Sequence, residues 1–137
     1  MSAAAAITLN DGQATPVAVT FNPVRVKDDL VVYQNTSAAT ILEREQITLS
    51  NRLPNGANGN YKATFRVRIP VPETLSTDSN GYTAQPKEAY ALTFDCSVVI
   101  PNRASSDEIS DLIAFAQNGL AHAVVEGLMD TSDGLPY

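Results

Sequence analysis

The sequence predicts an α+β fold: an antiparallel meander sheet with an N-terminal β-hairpin, followed by two C-terminal α-helices. Three observations carry this. Up to Pro101, apolar residues recur at every second position in short runs separated by turn residues. After Ser105 the apolar period lengthens to that of a helix. The chain has 137 residues, 44% hydrophobic and 18% charged, which fits one domain (1–137) with a core of useful size.

The elements follow in order. Ala4–Leu9 and Val17–Phe21 are apolar runs around Asn10-Asp11-Gly12-Gln13, whose Asp-Gly pair supplies a tight turn. They predict a hairpin over about residues 4–21, with Pro16 limiting the start of its second strand. Asn22-Pro23 is expected to break this unit. Leu30–Gln34 reads as a strand, and Thr40–Leu53 as a longer one, with Glu43 and Glu45 as exceptions to its alternation. The turn cluster Pro54–Asn60 joins it to Lys62–Ile69 as an antiparallel hairpin. Pro70-Val71-Pro72 is expected to stop that strand. Glu73–Pro86 is a long polar surface loop, of the kind that is often functional or mobile in a compact domain. Ala89–Ile100 alternates again and closes a sheet over about residues 29–101.

Helices are predicted over about residues 105–129. Ser105 and Glu108 have capping-box spacing, and Asp107 is favourable at the positive helix end. Ile109, Leu112, Ile113, Ala116 and Leu120 fall on one helical face, and Asn118-Gly119 is placed to end or kink the helix. Leu120, Val124 and Leu128, with Ala121, Val125 and Met129 beside them, form a second apolar stripe. Two short helices are a small cover for so wide a sheet; a dimer pooling two sheets and four helices would match them.

Composition excludes several functions. The single Cys96 rules out an internal disulfide framework and a multi-Cys zinc site, and the acids lack metal-ligand spacing. No metal and no cofactor are expected. His122, the only histidine, lies among alanines with no nucleophile nearby in sequence, so it reads as a structural residue and the chain not as an enzyme. Cys96 alternates with Phe94 and Val98 and reads as an inert thiol. No apolar run reaches the ~20 residues that cross a bilayer. Residues 1–7 carry no basic leader, so the expectation is a chain made and used in the cytoplasm, without a membrane partner.

Charge is unevenly distributed. The net charge is -6. Yet the only acid between Arg44 and Arg68 is Glu45, against Arg44, Arg52, Lys62, Arg66 and Arg68, while Ala104–Tyr137 holds six acids and no Lys or Arg. Lys62, Thr64, Arg66 and Arg68 alternate with Ala63, Phe65, Val67 and Ile69, giving one cationic and one apolar face. The hairpin partner contributes Arg44, Gln46, Thr48, Ser50 and Arg52 to the same face. A solvated outer sheet face accounts for one such strand. Two adjacent basic series with Ser and Thr donors point instead to phosphate, with Tyr61 or Tyr90 placed for base stacking.

The layout resembles the coat proteins of single-stranded RNA bacteriophages, the levivirus type, over nearly the whole chain. It is carried by the N-terminal hairpin with its Gly turn, by Gln46-Ile47-Thr48-Leu49-Ser50-Asn51-Arg52, and by Tyr61-Lys62-Ala63-Thr64-Phe65-Arg66-Val67-Arg68-Ile69-Pro70. The long strand ending Val99-Ile100-Pro101, the helix opened by Ser105, and the tail ending in Tyr137 complete it. The resemblance implies an interlocked homodimer with one continuous sheet, helices packed on the partner's sheet, and assembly into a quasi-equivalent icosahedral shell. It implies a sheet facing a packaged single-stranded RNA genome, and repression of replicase translation through an RNA hairpin. The location implied is the virion, and the host cytoplasm during assembly. Carried over by position, RNA contacts fall on Thr48, Ser50, Arg52, Lys62, Thr64, Arg66 and Arg68. Asp95 lies on the last strand where some relatives carry a neutral RNA-contacting side chain; an acid there would repel phosphate. The dimer interface is expected at Ile109, Leu112, Ile113, Ala116, Leu120, Val124 and Leu128. The competing reading is a β-rich binding or adhesin-like domain with a non-nucleic ligand; particle formation discriminates between them.

Overall fold

The computed structural model describes residues 3–38, 40–73, 77, 79–82 and 87–130. Six strands form one antiparallel sheet in chain order: β1 (Ile7–Asn10), β2 (Ala18–Val26), β3 (Leu30–Gln34), β4 (Gln46–Arg52), β5 (Asn60–Pro72) and β6 (Glu88–Pro101). Two helices follow, α1 (Ser106–Leu120) and α2 (Ala123–Asp130). This is the α+β meander expected. Much of the Glu73–Pro86 loop, residues 74–76, 78 and 83–86, lies outside the described residues, as does the tail 131–137.

The core sits under the N-terminal strands. Phe21, Tyr33 and Ile47 are buried, and Ile7, Val19, Val31, Leu49, Phe65 and Val67 pack against them. Each large side chain buried there stabilises the fold by roughly 1.5–3 kcal/mol. The turn between β1 and β2 is held by Asp11, whose Oδ1 accepts from the backbone N–H of Gln13 and of Val17. At the β4–β5 tip Gly56 has φ +85, and a Cβ on Gly59 would lie 2.6 Å from the Asn55 nitrogen, so both positions need glycine.

Three boundaries differ from the sequence expectation. Asn22-Pro23 does not end a strand: β2 runs through it, with a register shift between Pro23 and Arg25. The β1 pairing ends at Phe21, so beyond it β2 is bonded only to β3 and the missing Pro N–H falls where no ladder bond is required. The same holds for Pro70 and Pro72. The β4 pairing ends at Arg68, and β5 continues to Pro72 against β6 alone. Thr40–Leu53 is not one strand either. Ile41–Glu43 is a 3-10 turn, and β4 starts only at Gln46, which explains why Glu43 and Glu45 violated the alternation.

The α1 capping box forms as expected: Ser105 Oγ accepts from the Glu108 N–H at 3.3 Å, and Glu108 Oε2 accepts from the Ser105 N–H at 2.8 Å. The helix runs past Asn118-Gly119 to Leu120 before bending by 62° into α2. His122 sits at that bend, where its Nδ1 accepts from the Val124 N–H, a structural role. No single helix is long and apolar enough to cross a membrane.

Candidate nucleic-acid interface

Register assembles the polar face row by row, because residues directly opposite one another share a face. One row is Arg52, Lys62 and Val99, across β4, β5 and β6. The next is Ser50, Thr64 and Ser97; then Thr48, Arg66 and Asp95; then Gln46, Arg68 and Thr93. Eight of the ten expected RNA-facing positions therefore lie within β4 and β5 on one face, and Asp95 joins them from β6. Arg44 does not: it follows the 3-10 turn outside any strand, donates from Nη1 to Gln34 Oε1 at 3.5 Å, and its Nε is buried without a partner.

The electrostatics of the face were only partly visible in the sequence. Asp95 Oδ2 accepts from Arg66 Nη2 at 2.7 Å and from Arg66 Nε at 3.1 Å. That hydrogen bond holds the Asp95 carboxyl below its ordinary range and raises the Arg66 guanidinium. Arg68 Nη2 donates to Glu88 Oε1 at 2.6 Å. Arg52 and Lys62 have no ion-pair partner among the described residues. Sequence reading missed Glu88, which reaches Arg68 from the first residue of β6. It also missed Arg25, which the β2 register shift sets opposite Val32 and so in the row of Thr48 and Arg66. Tyr61 and Tyr90 are corrected: Tyr61 pairs with Ile100 and shares the Ala63–Phe65 series, and Tyr90 shares the Leu92–Phe94 series, so both belong to the apolar side. Cys96, opposite Phe65, is a half-buried free thiol on that side.

The other unusual surface is apolar. Neither α1 nor α2 has a buried residue, and neither packs on the sheet of its own chain among the described residues. Of the expected interface residues, Leu112, Leu120, Val124 and Leu128 are exposed large hydrophobics, Ala116 is exposed, and Ile109 and Ile113 are half-buried. Phe115, one turn from Leu112, was missed; it is 76% exposed. The fourteen-residue β6 has no strand on its outer side among the described residues. No group of His, Cys, Asp or Glu among them could hold a metal ion.

A long free edge, uncovered helices and a polar sheet face define a structural subunit that completes itself by association. Known proteins agree. The sequence model of the levivirus coat protein family matches residues 2–135, and the chain belongs to that family: it is a capsid protein, structural rather than enzymatic. No match was found among curated proteins. Among solved structures, the virus-like particle of bacteriophage ESE058 is similar at a TM-score of 0.88 and 21% identity, over 99% of this chain and 100% of that one. The virus-like particle of bacteriophage NT-214 follows at 0.82 and 27%, over 97% and 98%. The bacteriophage GA protein capsid matches at 0.70 and 20%, over 96% of each chain. The adhesin-like alternative falls away with family membership.

Proposed function

We propose that this capsid protein forms an interlocked homodimer. The two β6 edges join into one sheet, and the helices of each subunit cover the apolar side of the partner's sheet. Dimers assemble into an icosahedral shell whose inner, polar sheet face meets packaged single-stranded RNA. The observation that carries this is the pair of helices: an apolar stripe with no buried residue in its own chain needs a partner, because exposed apolar surface of this extent marks an association site. The edge of β6, unpaired among the described residues, supplies the second half of the joint. Binding of an RNA hairpin on the same face, repressing replicase translation, is the finer part of the reading.

The expressed protein is expected to elute as shell-sized particles, to appear as closed shells in electron microscopy, and to co-purify with RNA. A folded monomer persisting at micromolar concentration, free of nucleic acid, would overturn the reading. Competition between a hairpin and an unstructured RNA of equal length tests the repressor component separately.

A further inference from the structure

This inference rests on the polar face being the RNA-facing surface, and concerns which of its cations meet phosphate. We propose that Asp95 and Glu88 stand in for phosphate against Arg66 and Arg68, leaving the in-register pair Arg52 and Lys62 as the open anion site of the face.

Three observations support the division. Asp95 takes both the Nε and Nη2 donors of Arg66, the side of the guanidinium that grips phosphate in a forked contact. Arg68 is held by Glu88 at 2.6 Å. An RNA phosphate that takes the forked side of Arg66, or the Nη2 of Arg68, displaces a carboxylate, which then regains its own counterions, so little net ion release accompanies the exchange. At the other end of the face Arg52 and Lys62 lie directly opposite each other, and the β6 residue in their row is Val99. Like charges opposed across a ladder are destabilising, and an external anion relieves them. Arg25 has no ion-pair partner among the described residues and is separated from Arg66 by two strands, and Arg44 is half-buried against Gln34. The phosphodiester backbone of single-stranded RNA therefore anchors beside the β4–β5 tip, and the two acids set how much of the remaining face it uses.

The test is salt dependence. The full-length protein is titrated with a fluorescein-labelled oligouridine of about twenty nucleotides, by anisotropy, from about 50 to about 200 mM sodium chloride. Asp95→Asn with Glu88→Gln is expected to steepen the log–log slope by about 0.7 for each arginine released, a roughly sevenfold larger loss of affinity across that salt range. Arg52→Gln with Lys62→Gln is expected to make it shallower by the same amount; Lys62→Gln alone, by about half. Adding Arg66→Gln and Arg68→Gln to the acid-neutralised protein cancels its steepening, which separates freed arginines from a general fall in negative charge. A wild-type slope in the acid-neutralised protein, or in the protein lacking Arg52 and Lys62, overturns the proposal while leaving RNA binding intact. Wild-type binding that ignores salt overturns the RNA-facing reading, and this proposal with it.

Discussion

The strands β1–β4 and the segment from β6 to α2 solve the problem of burial in opposite ways. Beneath β1–β4 the chain closes on itself: Ile7 and Val19 of the N-terminal hairpin pack against Phe21, Tyr33 and Ile47, all three buried. At the other end the same chain leaves Leu92 58% exposed on β6 and Phe115 76% exposed on α1. The difference teaches where the folding unit ends. The N-terminal half buries its apolar residues within one molecule; the C-terminal half leaves its apolar surface open, and in the proposed dimer that surface is one wall of a shared core.

The largest effect should come from the open half. Leu112→Asp places a charge on the exposed α1 stripe. In an isolated subunit it would be a surface change worth no more than about 0.5 kcal/mol. Facing a partner's sheet it buries an unpaired charge at several kcal/mol and is expected to abolish shells and soluble assembly alike. Normal particles from this variant, seen by electron microscopy, would break the comparison. Ile47→Ala acts on the closed half. It should destabilise by about 2–5 kcal/mol through transfer loss and cavity formation, read as a lower midpoint in chemical denaturation. A cost below about 1 kcal/mol would mean that the N-terminal core is not a core.

The smallest effect is set by pH. Asp95, in the sheet, is held low by Arg66, and Glu108, on the helix, by the Ser105 backbone N–H. Both folded values lie below the unfolded ones. Each contribution is thus fully present above the ordinary carboxylate range near about 4, and is lost as pH falls through the folded value. Both groups are exposed, so solvent screening keeps the effect modest. Thermal midpoints followed from neutral to acid pH should fall less for Asp95→Asn and Glu108→Gln than for the wild type. Superimposable acid limbs in all three would remove these two bonds from the account.

Much of this was legible in the sequence. Strict alternation in Lys62–Ile69 gave the two faces of β5, and Ser105 with Glu108 gave the start of α1. Local patterns misled where one-sided pairing decides the outcome. Pro23 and Pro70 look like strand breakers, and are tolerated because a neighbouring strand has already ended. The charge balance of the polar face was hidden for a related reason. Arg66 and Asp95 are 29 residues apart, and only the register of β5 on β6 makes them neighbours. Tyr61 was drawn toward the polar face by its closeness to Lys62, although adjacent residues on a strand point to opposite sides.

The junction between β6 and α1 has a consequence for association. Asn102 donates from Nδ2 to the carbonyls of Gly56 and Ala57, and its backbone N–H donates to Gly59, so the β4–β5 tip is strapped to the point where the helix departs. Neither helix packs on the sheet among the described residues, so this strap and the Ser105 cap bear on the direction of α1. A helix aimed before its partner arrives is preorganised, and much of the ordering entropy of docking is already met within the subunit. In the proposed dimer, weakening the strap is expected to slow assembly even where the helix–sheet contacts can still form, because each encounter would have to find the helix direction anew.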